Sequence, residues 1–172
     1  MTMRTAIAIT IALALAGPAM AEDFTTRAQA MDYLVQTLPK ATSQNPEYLT
    51  KSDGIVSRWL THKLHFARTG QNAVTVKMWE SYTQTKDGKT TPGTHEAAFS
   101  LAQVEISEFA SPGDFTPEGA PARGIIFVCA KAGCISALWS GHPSSADKTD
   151  IYIQDEATRA RILAAFRRLQ TE

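Results

Sequence analysis

The sequence predicts an α+β domain. It reads as an antiparallel sheet or partly closed barrel of about seven strands, with an N-terminal helix and a C-terminal helix packed on it. Three observations lead there. Apolar residues recur with helical spacing near the start of the chain, at Met31, Leu34, Val35 and Leu38. The middle of the chain alternates with period two and is punctuated by Gly, Pro and Asp turns. Helical spacing returns near the end, at Ile162, Phe166 and Leu169. Helices at the ends with strands gathered between them favour an antiparallel sheet over repeated βαβ units.

The chain opens with an export leader. Arg4 supplies a positive charge, Ala6 to Ala16 is apolar, Gly17-Pro18 breaks the run, and Ala19-Met20-Ala21 offers small residues for cleavage. The apolar run is too short for a membrane span, which needs about 20 residues. Residues 1–21 are therefore expected to leave as a signal peptide, and 22–172 to form a single globular domain without a transmembrane anchor. Its destination is the periplasm or the cell exterior. The whole chain carries 17 basic and 17 acidic residues. Such a balance excludes the basic excess of a nucleic-acid binder and gives no reason for attraction to anionic lipid.

The first helix is expected to open at Thr26, where Thr26 and Gln29 have capping-box spacing, and to stop at Pro39. Residues 41–54 read as irregular, with Pro46 and Asp53-Gly54 as turn signals. Strands follow near 56–67 and 73–85, joined by a turn at Gly70. Lys86-Asp-Gly-Lys89 is the next turn, extended by Thr90 to Gly93. Two further strands lie near 95–101 and 104–109, and Ser111 to Arg123 is a Pro/Gly-rich loop. After the strands 125–129 and 134–139 comes a polar loop, 140–147, and then a short strand, 150–154. The last helix begins after its N-cap Asp155 and runs to about Gln170. Its arginines, Arg159 among them, read as a solvated face.

Cys129 and Cys134 are the only cysteines. Export to an oxidising compartment favours pairing them. With Ala130 to Gly133 as the loop, a hairpin sets Cys129 opposite Cys134, Phe127 opposite Ser136 and Ile125 opposite Leu138. The resulting disulfide closes a short loop and contributes about 2 kcal/mol. Both faces of that hairpin are apolar, which predicts cover on both sides. A redox dithiol normally has two intervening residues at a helix start, where this pair has four and no helix. For a metal, only His142 lies nearby as a further ligand.

The stretches IIFVCAKAGCISALW, DIYIQ and ARILAAFRRL resemble the tail of uncharacterised exported bacterial proteins, which combine a C-x4-C disulfide hairpin with a C-terminal amphipathic helix. Seven strands closed by such a helix also resemble the pleckstrin-homology-like arrangement. The resemblance implies a fold and carries no catalytic residue.

No hydrolase elbow is present. Ser140, His142 and Asp147 share one loop, which turn chemistry explains. His62 and His65 would point to opposite faces of a strand and so cannot share a metal. No catalytic or metal-binding residue and no cofactor is assigned. The candidate binding surface lies on the 56–85 hairpin. If Phe66 faces Val74, the opposite face carries Trp59, Lys63 and His65 beside Lys77 and Trp79, with the two tryptophans as diagonal neighbours. Aromatics flanked by cations anchor ligands and partners. The alternative is that the N-terminal helix covers both indoles. The resulting expectation is an exported non-catalytic domain that binds a small ligand or an envelope protein partner. The alternatives are a periplasmic hydrolase and a thiol–disulfide redox protein. A deep pocket with a perturbed acid or base separates the enzyme from a flat aromatic binding patch.

Overall fold

The computed structural model describes residues 24–69 and 73–171. The expected leader, 1–21, lies outside the described residues. Helix α1 spans Arg27–Ser43 and starts as its capping box predicts, with Gln29 N–H donating to Thr26 Oγ1 and Thr26 N–H donating to Gln29 Oε1. It does not stop at Pro39. Proline removes one helical N–H, but the turn beyond is held from outside. Thr42 is buried there, and its hydroxyl oxygen accepts from the backbone N–H of Thr61 at 3.0 Å. The buried stripe is Ala30, Leu34, Leu38 and Ala41, whereas Val35 is exposed. The inward face is thus rotated from the one that Met31 and Val35 suggested.

Nine strands follow, two more than expected. They are β1 (Tyr48–Thr50), β2 (Ile55–Thr69), β3 (Ala73–Lys86), β4 (Lys89–Ser100), β5 (Val104–Phe115), β6 (Pro121–Cys129), β7 (Ile135–Trp139), β8 (His142–Ala146) and β9 (Lys148–Tyr152). A 3-10 turn, Leu101–Gln103, separates β4 from β5. The two unforeseen strands carry weak signals. β1 is three residues long amid turn formers, and β8 reads His-Pro-Ser-Ser-Ala. β8 is an edge strand, where proline costs no internal ladder bond. The turn at Asp87-Gly88 has positive φ at both residues, 50° and 75°, as a tight hairpin requires. β4 therefore pairs with β3 along its full length, and Thr90 to Gly93 is strand rather than loop.

The sheet is antiparallel throughout, in the order β8-β7-β4-β3-β2-β1-β5-β6-β9, and it is not closed. This order corrects the expected cysteine hairpin. β6 pairs with β5 and β9, β7 pairs with β4 and β8, and β6 and β7 do not pair. The Cys129–Cys134 disulfide is present, with Cα atoms 5.7 Å apart, but it closes a corner. Backbone groups that a hairpin would use are taken elsewhere: Cys129 N–H donates to Asp147 O and Ala130 N–H to Gln103 O. Nor is β6 covered on both faces, since Val128 is 39% exposed while Ile125 and Phe127 are fully buried.

Helix α2 (Glu156–Gln170) starts at its N-cap Asp155, which accepts from Thr158 N–H at 2.8 Å. It packs against α1 and lies over β3, β5 and β6. Phe166 meets Phe127 edge-on, and Phe127 meets Phe99, at centroid distances of 5.0 and 4.9 Å. Arg159 is not on a solvated face. It is buried and donates to Glu108 Oε2 at 3.0 Å and to the carbonyls of Ile153 and Gln154 at 3.1 Å. A charge-assisted set of this kind fixes the start of α2 to the sheet.

The corner disulfide closes a loop of the same small size as a hairpin would, so its entropic contribution remains about 2 kcal/mol. Replacing both cysteines, Cys129→Ala with Cys134→Ala, should lower Tm by about 4–8 °C, at about 2–4 °C per kcal/mol for a domain of this size. Calorimetry checks this, and an unchanged Tm would show that the corner holds without the bond.

Candidate functional site

One face of β3 carries Val74, Val76 and Met78 into the core. The same alternation then places Glu80 and Tyr82 on that face. Across the ladder, β4 presents Phe99, Ala97 and His95 in step. The apolar core thus gives way, two residues along each strand, to a buried carboxylate and a buried imidazole. Glu80 Oε1 accepts from Thr61 Oγ1 at 3.1 Å, and Glu80 Oε2 lies 2.8 Å from His95 Nδ1. A buried charge tolerates its position only with such partners.

A β-bulge brings an aromatic wall to this pair. β2 and β3 stay in register through Trp59↔Tyr82 and Thr61↔Glu80, and then shift so that Lys63 opposes Trp79. The extra residue, His62, changes which side chains point inward. Trp59 and Thr61 therefore share the inner face with Leu64 and Phe66. Trp59 lies on Tyr82 with centroids 4.6 Å apart, and it meets Trp139 at 5.9 Å and 89°. Trp139 is the β7 residue opposite His95, and their rings stack at 4.0 Å.

The observed register corrects the expected surface, and the bulge accounts for the face of Trp59. Trp59 and Trp79 lie on opposite faces and are not diagonal neighbours. Phe66 opposes Val76, not Val74, and Trp79 opposes Lys63, not Thr61. Lys63, His65, Lys77 and Trp79 do stay together on the outer face. There the ammonium groups of Lys77 and Lys63 stand 4.6 and 5.3 Å from the Trp79 ring centroid, and Lys77 also pairs with Glu96 at 3.0 Å. The Ser140, His142 and Asp147 loop proves to be connection geometry. Ser140 and Gly141 turn β7 into β8, and Asp147 Oδ1 accepts from Gly133 N–H at 2.6 Å.

The far edge of the sheet completes a cleft of about 130 Å³, where Lys148, Asp150 and Tyr152 of β9 face Trp59, Glu80, His95 and Trp139. Two larger hollows, of about 490 and 620 Å³, are open grooves beside the helices, lined by residues such as Phe24, Leu163 and Gln36. They hold no buried acid or imidazole. In the smaller cleft, Asp150 is the perturbed carboxyl. Burial, and secondarily the charge of Glu80, push its carboxyl up to about 6, against the opposing pull of Lys148 and His95. Its carboxyl group accepts no hydrogen bond among the described residues. Tyr152 is held differently: burial pushes its hydroxyl well above the usual phenol range, and that hydroxyl donates to Asp114 Oδ2 at 3.1 Å.

Comparison of the chain with protein-family models, with curated proteins and with solved structures returns no match. The resemblance to exported C-x4-C proteins extends no further than the disulfide itself and the mixed α+β architecture.

Asp150 gives a signed prediction. Its folded-state value is raised, so its contribution to stability is full below the ordinary carboxyl value and is lost as pH rises through about 6. Asp150→Asn should match the parent near pH 4 and exceed it by about 1–3 kcal/mol above pH 7. Urea unfolding at the two pH values checks this, and an equal difference at both would show that burial does not govern the carboxyl.

Proposed function

We propose that this chain is an exported domain that binds a small ligand in the cleft between the β4–β7 aromatic wall and β9. The observation that carries the reading is the Asp150 carboxyl, without a hydrogen-bond partner among the described residues, lining one concave site with Trp59 and Trp139. Aromatic walls with a few placed polar groups characterise ligand sites. The volume sets the scale of the ligand. About 130 Å³ far exceeds the 10–15 Å³ needed for one water, and falls short of the roughly 300–1,000 Å³ of drug-sized sites. Export is part of the proposal. It rests on the leader-like sequence of residues 1–21 and on the disulfide, which suits an oxidising compartment.

A second reading has one observation of its own. A carboxyl raised to about 6 is suited to general acid–base chemistry, as a hydrolase needs. The remaining chemistry favours binding. The Thr61 hydroxyl donates to Glu80, and both cysteines are joined in the corner, leaving neither thiol as a nucleophile.

Native mass spectrometry of the exported protein, followed by denaturation, tests the reading. The native protein should carry a small adduct that is lost on denaturation. Trp139→Ala should reduce its occupancy at least tenfold without unfolding the chain, because this ring is 40% exposed and lies outside the core. A bare native mass under conditions that retain other ligands, or an adduct indifferent to Trp139, contradicts it.

A further inference from the structure

Resting on the small-ligand reading, we infer that the cleft takes a compact organic cation, an ammonium compound bearing small alkyl groups. Its charge would sit beside the Asp150 carboxylate, and its alkyl groups would lie against Trp59 and Trp139.

The charges around the cleft select this class. Two carboxyl groups, Glu80 and Asp150, line it and act on each other. Glu80 has both oxygens engaged, by Thr61 and by His95. Asp150 has no such partner among the described residues, so a cation next to it would relieve the repulsion that Glu80 exerts. An anion would add to that repulsion, and a neutral ligand would leave it in place. Two groups pull the other way, Lys148 and His95. His95 pulls against the rise at Asp150, but its Nδ1 lies 2.8 Å from Glu80 Oε2, so Glu80 is the acid it is bonded to. Lys148 lines the cleft and pulls on Asp150 more than His95 does, but it is exposed and forms no ion pair with Asp150 among the described residues. Asp114 also acts on Asp150, and its charge favours a cation further.

The aromatic residues point to an organic cation over a bare metal ion. Trp59 and Trp139 stand at right angles, with Tyr82 lying on the first and His95 stacked on the second. The negative ring face attracts alkylammonium groups, whose spread charge and apolar surface suit a wall of indoles. His95 Nδ1 is already spent on Glu80, and among the described residues no three acidic, histidine or cysteine side chains are grouped to hold a metal. The cleft volume fits a few carbons around one nitrogen and leaves no room for a peptide or an oligosaccharide.

The test is a tryptophan-fluorescence titration of the folded domain with methylammonium, trimethylammonium, tetramethylammonium and choline, beside 3,3-dimethylbutan-1-ol, the neutral isostere of choline. At least one ammonium should bind at least tenfold more tightly than the isostere at pH 7.5. That binding should weaken severalfold between pH 7.5 and 5, as Asp150 takes up its proton, and at least tenfold in Asp150→Asn. The Lys63→Ala variant, on the outer face, should bind as the parent does. Equal binding of choline and its isostere overturns the cation assignment and leaves the small-ligand reading standing. Failure of every ammonium compound at millimolar concentration also overturns the assignment, and the adduct measurement then decides the underlying reading on its own.

Discussion

The site depends on how the two ends of the sheet are tied together. β6 and β7 lie near opposite ends of the strand order, yet only residues 130–134 connect them. β8 and β9 are the two edges, yet only Asp147 separates them. A nine-stranded sheet whose edges are one residue apart must curl. Strands that pass from one part of a sheet to another through a bend make such corners. Here the two bends meet. Asp147 binds the backbone of Cys129 with its carbonyl and that of Gly133 with its carboxylate, and the disulfide closes the same corner. Without that curl, β9 would stand a full sheet width from β4 and β7, and Asp150 would face water.

Within the curled sheet, one strand face serves both stability and chemistry. Along β3, Val74, Val76 and Met78 bury apolar surface, and Glu80 then extends the same row as a desolvated carboxylate. Burying such a group is costly unless it is satisfied, and Thr61 and His95 satisfy it. Asp150 receives no comparable support. Burial, and secondarily the charge of Glu80, raise its carboxyl, and that marks a place where folding alone does not account for the residue. The bulge at His62 belongs to the same design. It turns Trp59 inward to meet Tyr82 and Trp139, while leaving Trp79 outside between two lysines.

Much of the framework was legible in the sequence because its signals are local. The capping box at Thr26, the N-cap at Asp155, the Asp87-Gly88 turn and the cysteine pairing each act within a few residues. The strand order was not legible, since a five-residue connection between two apolar strands resembles a hairpin until the competing partners are known. The bulge was hidden too, because one added residue inverts a strand's faces without altering its composition. Arg159 looked like surface because charge on a helix usually is. The site left one trace that alternation alone could have read. Glu80 and His95 sit at positions whose neighbours two residues away are core, and a charged group at core parity asks for an explanation. Asp150 left no such trace, for its environment is made by strands distant in sequence.

The most direct test of this account is the titration of the Asp150 carboxyl itself, followed by carbon NMR in the ligand-free folded domain and assigned with Asp150→Asn. The curled sheet and its desolvated cleft require a midpoint near 6. A midpoint near the ordinary aspartate value of about 4 would contradict it, because Asp150 would then be facing water and the two ends of the sheet would not enclose a site.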